Sequence, residues 1–186
     1  IQELEKHGFE AYAVGGCVRD SILGCIPDDW DITTSAKPHE VKRIFQKTID
    51  TGIEHGTVTV MLGKEGYEVT TYRIDGEYED ARHPKEVIFT ANLVEDLKRR
   101  DFTINAMAFS LQKEDFGALV DPFGGIRDLA AGIIRTPLDP DTTYSDDPLR
   151  MVRAVRFATK LSTDELTFNI VQESLDSIKR NLHRME

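Results

Sequence analysis

The segment that most constrains this chain is Gly15-Gly16-Cys17-Val18-Arg19-Asp20, followed a short turn later by Asp28-Asp29-Trp30-Asp31-Ile32-Thr33. An apolar run, Ala11 to Val14, leads into the glycine pair, and Val18, Ile22 and Leu23 follow it with helical spacing. The segment therefore reads as strand, tight turn and helix. With no Cβ at the turn, backbone amides can approach an anionic group closely, which makes Gly15 and Gly16 candidate phosphate-binding residues. Arg19 lies at the start of the helical pattern, where its planar guanidinium and the helix N-terminus both favour negative charge. Asp29 and Asp31 are two apart, so an extended Trp30-Asp31-Ile32-Thr33 stretch projects both carboxylates from one face. Two adjacent hard oxygen ligands suit Mg²⁺, which completes its shell with water and phosphate oxygens. Joined in one short segment, these features describe a site for a nucleoside triphosphate and metal ions.

Composition narrows the setting. At 186 residues and 40% apolar content, the chain can bury one medium domain plus an appended element. No apolar run reaches the length of a membrane span and no signal-peptide pattern opens the chain, so no membrane partner is expected. Starting at Ile1 without Met and ending at Glu186 inside a helical pattern, it reads as part of something longer. Cys17 and Cys25 form neither a disulfide framework nor a zinc pattern, which points to a reducing, cytoplasmic location, with Cys17 filling a small-residue slot. A net charge of -10 argues against coating nucleic acid unaided. Lys98-Arg99-Arg100 and the arginines of 150–156 are basic islands that leave local contacts open. There is no Gly-x-x-x-x-Gly-Lys-Ser/Thr, which disfavours a P-loop.

In chain order, Gly8 ends a first helix, 9–14 is a strand, and 19–23 is a helix closed by Gly24. Ser35 is a candidate cap for a helix over 38–45. Strands are expected over 48–62 and 67–74 around a hairpin at 63–66, with Glu68, Thr70 and Tyr72 on one face of the return strand. Glu68 then reads either as a third carboxylate at the metals or as an exposed strand residue balanced by Lys or Arg. Residues 75–92 break every periodicity, and a charged connection of that length beside a site tends to be a lid or gate. Over 93–109, Asp101 and Asn105 stand at i and i+4 of an expected helix and can bond each other or a ribose hydroxyl. Residues 119–129 read as strand, glycine turn and helix start, with Asp121 and Asp128 capping amides; 133–135 is a short strand. Beyond Pro137 the composition turns helical, with a domain junction near 139–143. Ser145 or Asp146 is the expected cap of a helix whose first turn takes Pro148. Asp147, Arg150, Arg153 and Arg156 recur at intervals of three and form a slanting ribbon on it.

On these motifs the chain resembles the nucleotidyltransferase superfamily of DNA polymerase β type and, within it, the class II CCA-adding enzymes and bacterial poly(A) polymerases. The resemblance implies an α+β fold: a nucleotidyltransferase head with a mixed antiparallel sheet over 1–138, followed by the start of an α-helical neck over 139–186. It implies that Asp29 and Asp31, with Glu68, hold Mg²⁺, that Gly15, Gly16, Arg19 and Arg100 meet the triphosphate, and that Asp101 and Asn105 meet the ribose. Asp80-Ala81-Arg82-His83-Pro84 resembles the charged element of a loop that helps switch nucleotide choice. Asp121-Pro122-Phe123-Gly124-Gly125 resembles the motif joining head to neck. Asp146-Asp147-Pro148-Leu149-Arg150 resembles the Glu-Asp-x-x-Arg motif in which protein side chains act as template, so Asp147 and Arg150 would select CTP or ATP with Arg153 and Arg156 supporting the pocket. The implied partners are the tRNA 3′ end, CTP and ATP; the implied reaction adds CMP and/or AMP and releases pyrophosphate. An A-only enzyme or a poly(A) polymerase is the alternative of like chemistry. A non-catalytic metal- or nucleotide-binding regulatory module is the alternative of another class. The length of 75–92 disfavours a CC-only enzyme, and Thr51-Gly52-Ile53-Glu54-His55-Gly56-Thr57-Val58 resembles CCA-adding enzymes more than poly(A) polymerases.

Overall fold

The strand gives way to a helix at Gly15 because only glycine tolerates the backbone required there. In the computed structural model, which describes residues 1–75, 78–80, 83–84 and 87–185, Gly15 has φ 81° and ψ -131°, a combination closed to L side chains. In chain order the elements are α1 (Gln2–Lys6), β1 (Ala11–Val14), α2 (Gly16–Ile22), β2 (Ile32–Thr34), α3 (Pro38–Ile44), β3 (Thr48–Gly52), β4 (Thr57–Leu62) and β5 (Glu65–Thr71). There follow β6 (Arg73–Asp75), β7 (Tyr78–Asp80), β8 (His83–Pro84), β9 (Val87–Phe89), α4 (Leu93–Lys98), β10 (Ala108–Ser110) and β11 (Leu119–Val120). The remainder is α5 (Gly125–Ala131), β12 (Ile133–Ile134), α6 (Pro140–Asp146), α7 (Leu149–Leu161), β13 (Asn169–Ile170) and α8 (Gln172–Asn181).

Two compact units are assembled from non-contiguous pieces: Ile1–Ile74, Val87–Leu97 and Met107–Val120 form one, and Asp75–Glu86, Lys98–Ala106 and Asp121–Glu186 the other. The first is organised by a seven-stranded sheet in the order β11-β10-β1-β2-β5-β4-β3. Every adjacent pair is antiparallel except β2 and β5, which run parallel in the register Ile32↔Val69, Thr33↔Thr70 and Thr34↔Thr71. Strand alternation gives the sheet two unlike faces. Ala11, Val58, Val60 and Val69 pack with Leu4 of α1 and Val41 of α3 on one face, flanked by Ile32, Ile44 and Phe45. Each fully buried aliphatic side chain there contributes roughly 1.5–3 kcal/mol. The opposite face is polar over β3–β5, where hydroxyls pair across it: Thr57 with Thr70 at 2.9 Å and Thr51 with Thr59 at 2.9 Å.

Several local expectations change for identifiable reasons. Helix α2 starts at Gly16, ahead of the expected start at Arg19, because Gly15 is the N-cap. Ser35 does not cap α3: its hydroxyl accepts the Glu10 N–H at 2.9 Å, and the Glu40 carboxylate closes the helix start by accepting the Lys37 N–H at 2.8 Å. The 75–92 stretch is not wholly irregular, since β7 pairs antiparallel with β8 and β6 pairs with β9; Ala81 and Arg82 of the Asp80–Pro84 element lie outside the described residues. Helix α4 stops at Lys98, so Asp101 and Asn105 do not share an α-helical face. Phe102 is fully buried and extended (φ -134°, ψ 152°), and a single 3-10 turn over Thr103–Asn105 follows it. Ser145 and Asp146 belong to the end of α6 rather than capping α7. Asp147 makes the capping contact instead, its carboxylate accepting the Leu149 N–H at 3.1 Å.

In the second unit α6 and α8 are joined by one carboxylate. Asp141 accepts from Ser177 Oγ at 2.5 Å, from Arg180 Nη2 at 2.9 Å and from Asn181 Nδ2 at 3.3 Å. The Ser177 hydroxyl first, and then the Arg180 guanidinium, hold the Asp141 carboxyl below the ordinary carboxylate range. A carboxyl depressed by folding stabilises the fold above its unfolded pKa and loses that contribution as pH falls through the folded value. Asp141→Asn is therefore expected to lower the melting temperature at pH 7, with the gap to wild type closing as the pH drops through the carboxylate range. Melting curves across that range check this; a gap that does not vary with pH contradicts it.

Candidate active site

The acidic residues are placed by the parallel pairing. Asp31 immediately precedes β2, and its carbonyl accepts the Val14 N–H at 3.0 Å, which sets the acidic segment beside the end of β1 and the glycine turn. The Ile32↔Val69 register, continued one residue back, puts Asp31 alongside Glu68. Because Ile32 and Val69 face the apolar core, alternation turns Asp31 and Glu68 to the polar face, with Asp29 two residues earlier on the same edge. All three are exposed. Partial desolvation, and then the charges of Asp31 and Asp29, push the Glu68 carboxyl above the usual carboxylate range. The charges that shift Glu68 are thus acidic neighbours, not a balancing Lys or Arg.

Among the described residues no three His, Cys, Asp or Glu side chains are already gathered as a metal cage. The donor set nevertheless fits a divalent cation of the Mg²⁺ type. It offers hard carboxylate oxygens on an exposed edge, and their mutual repulsion, felt at Glu68, is what such an ion relieves.

Beside this edge lies the glycine turn. A Cβ built on Gly16 would meet only Arg19 Nη2, at 3.6 Å, an ordinary contact. The chain itself thus leaves Gly16 free to carry a side chain, and its absence keeps the first turn of α2 open towards the Arg19 guanidinium. Arg19 is buried, with Nε 2.8 Å and Nη2 2.7 Å from Asp20 Oδ1. Cys17 is buried in the same turn, and burial pushes its thiol pKa up, as befits a packing residue rather than a nucleophile.

A second group of residues lies in the other unit. Asp101 is its organiser: Oδ1 accepts the Phe102 N–H at 2.8 Å and Asn105 Nδ2 at 3.0 Å, while Oδ2 takes Arg153 Nε at 2.8 Å and Nη2 at 2.7 Å. Arg153 also lies 5.3 Å over the Phe157 ring, which meets Phe102 edge-on at 5.9 Å. Asp128 anchors this segment by accepting from Thr103 Oγ1 at 2.7 Å and Arg135 Nε at 3.2 Å. It is not an amide cap, whereas Asp121 is, accepting the Gly125 and Ile126 N–H groups at 2.6 and 3.1 Å. Arg150 donates from Nη2 to the Arg99 carbonyl at 3.0 Å, and its Nε stands 3.8 Å from Asp147 Oδ2. Arg100 is half-buried and Arg156 is exposed on α7. The sequence reading overlooked Asp128 as an anchor and Asp96 altogether. Nothing in the local pattern marks Asp96 as the fully buried residue it is.

A mixed sheet with paired carboxylates on adjoining strands and a glycine turn opening a helix defines a nucleotidyltransferase head, and the chain belongs to the family described as Poly A polymerase head domain, which matches residues 11–135. Its relatives are more particular. The chain is 53% identical over 181 residues to the CCA-adding enzyme of Lactobacillus helveticus, covering 97% of this chain and 43% of that protein. The Bacillus stearothermophilus CCA-adding enzyme solved in complex with CTP superposes with a TM-score of 0.83 at 44% identity, over 97% of this chain and 41% of that one. A tRNA nucleotidyltransferase solved with a primer tRNA and an incoming ATP analog gives a TM-score of 0.76 at 34% identity, over 98% and 49% of the two chains. The chain thus spans less than half the length of these relatives. Nucleotidyltransferases of this family generally use a divalent metal.

Asp101 holds Phe102, Asn105 and Arg153 at once, whereas Arg153 is partly exposed and can turn to water. Asp101→Ala is expected to destabilise the protein by about 2–3 kcal/mol, clearly more than Arg153→Ala, because it leaves several buried donors unsatisfied. Denaturant unfolding measures both, and equal, small losses would contradict the assignment.

Proposed function

We propose that this chain is the catalytic head, over 1–138, and the start of the helical neck, over 139–186, of a cytoplasmic tRNA nucleotidyltransferase that adds CMP and AMP to the tRNA 3′ end. The observation that carries this reading is the parallel register that sets Asp31 beside Glu68 with Asp29 on the same edge. The relatives described as CCA-adding enzymes, and neighbours solved with CTP, with primer tRNA and an ATP analog, support the substrates. Among the described residues no helix is long and apolar enough to cross a membrane.

Asp29, Asp31 and Glu68 would hold Mg²⁺. When bound, the ion lowers the pKa of the attacking 3′-hydroxyl and stabilises charge on the departing pyrophosphate. The protein's own groups orient the reactants. The amides of Gly15 and Gly16 and the guanidinium of Arg19 take the triphosphate, joined by Arg100, and the pairing of Arg19 with Asp20 limits its freedom before the nucleotide arrives. Asn105, fixed by Asp101, addresses the ribose.

Base choice falls to Asp147 and Arg150, with Arg153 and Arg156 supporting the pocket. A carboxylate acceptor beside guanidinium donors matches cytosine, whose N4 amine donates while N3 and O2 accept, and adenine, whose N6 donates while N1 accepts. Guanine and uracil present the reversed pattern and leave charged groups unpaired, a loss of several kcal/mol in sites of this kind. The Arg99 carbonyl occupies one Arg150 nitrogen and directs the others.

The full-length protein, given tRNA transcripts ending before CCA, after C and after CC with each NTP separately, tests this reading. Stepwise addition of two C and one A is expected; unlimited A addition to any RNA end would place the protein with poly(A) polymerases instead. Asp29→Ala or Asp31→Ala is expected to cut transfer about a thousandfold or more with the fold intact, the scale of several kcal/mol of charge stabilisation; substantial residual turnover refutes the metal assignment. Arg150→Ala is expected to narrow discrimination against UTP and GTP more than it weakens CTP binding. An equal loss for all four nucleotides would move the arginine out of base selection.

A further inference from the structure

The two strands that carry the carboxylates are not joined by a turn. β2 and β5 run parallel and are separated in sequence by α3, β3 and β4, so no hairpin fixes their register. Apolar alternation forbids a one-residue slip, which would bury Asp31, but it tolerates a two-residue slip or a smaller shear. A two-residue slip would move Asp31 about 7 Å along Glu68's strand. Something else must hold the pair.

One buried side chain touches both strands' paths. Asp96, on α4, is fully buried; its Oδ2 accepts from Thr33 Oγ1 at 3.0 Å and its Oδ1 from the Arg73 backbone N–H at 3.2 Å. Thr33 is in β2, two residues beyond Asp31, and is itself fully buried, with its hydroxyl also 3.3 Å from the Thr70 carbonyl of β5. Arg73 begins β6 just past the end of β5, where the preceding Tyr72 N–H donates to the Thr34 carbonyl at 2.8 Å. A carboxylate that bonds one strand with each oxygen resists sliding between them in either direction. A carboxylate acceptor makes stronger hydrogen bonds than a neutral one.

We propose that Asp96 is a positioning residue for the metal-binding carboxylates: it staples β2 to the exit of β5 and so sets the separation of Asp31 from Glu68. Asp96 touches neither substrate nor metal in this role and acts through Thr33 and Arg73. The inference rests on the reading of Asp29, Asp31 and Glu68 as the metal ligands.

Mn²⁺ binding to the full-length protein, followed by water-proton relaxation without nucleotide, tests the staple apart from turnover. Asp96→Ala is expected to weaken Mn²⁺ binding about tenfold or more, the usual cost of removing a group that orients ligands. Should Asp96→Ala not fold, Thr33→Val decides, because it nearly keeps volume and cuts the β2 arm of the staple together with the longer 3.3 Å contact to the Thr70 carbonyl; it is expected to weaken Mn²⁺ binding in the same direction. Asp96→Asn keeps an oxygen for the Arg73 N–H and can donate to Thr33 Oγ1, so it is expected to recover most of the affinity. Thr33→Val placed in a folded Asp96→Ala background should add less loss than it causes alone, since the Asp96 connection is already gone and only the contact to the Thr70 carbonyl is left to remove. Wild-type Mn²⁺ affinity in Thr33→Val, or in a folded Asp96→Ala, overturns the proposal, as does an Asp96→Asn loss as large as that of Asp96→Ala. Asp31→Asn separates the two readings. If it binds Mn²⁺ like wild type, the metal-site reading itself fails; if it loses the ion while the Asp96 and Thr33 variants keep it, only the staple fails.

Discussion

The rest of the molecule depends on the parallel contact between β2 and β5. It is the one parallel pair in a sheet whose other neighbours are antiparallel, and it brings carboxylates from distant parts of the chain onto one edge. Antiparallel pairing of the same strands would reverse one of them and carry Glu68 away from Asp31. Parallel pairing requires a crossover, which here is α3 with the β3–β4 hairpin, and the crossover also supplies Val41, Val58 and Val60 to the core beneath. The same chain segment therefore closes the core on one face and delivers Glu68 to the other.

Division of labour between the faces explains why like charges can be kept close. The apolar face is packed by α1 and α3 and gains from burial, while the threonine-lined face stays polar and satisfies its hydroxyls laterally. The repulsion registered at Glu68 is a local cost offset by the packing behind it. In the second unit a comparable economy appears at Asp101 and Asp128, where single carboxylates each organise several donors around the Arg100–Asn105 turn.

Much of this was legible in the sequence wherever function and local geometry coincide. Gly15 announced the turn because its positive φ is a backbone requirement that glycine alone meets. The facing of Asp31 was legible because strand alternation, continued one residue back from β2, is a local rule, and the β4–β5 hairpin because Gly63 opens its turn, although the turn closes before Gly66, which lies inside β5 opposite Met61. Tertiary placement was not. Helix α4 was extended too far because nothing local shows that Phe102 must leave the helix to be buried. Ser35, Ser145 and Asp146 are good caps by type, but the sheet claims Ser35, and α6 runs through the other two. Asp96 and Asp128 look like ordinary acidic positions on polar helical faces until the fold buries them. The relation of β2 to β5, on which the acidic edge depends, is a long-range pairing that no local pattern specifies.

The most direct measurement is anomalous diffraction from crystals of the full-length protein grown with Mn²⁺ and a non-hydrolysable CTP analogue. The account predicts Mn²⁺ peaks beside the carboxylates of Asp29, Asp31 and Glu68, and the phosphates against Gly15, Gly16 and Arg19. Peaks that avoid Asp31, or a triphosphate bound away from the glycine turn, would contradict it.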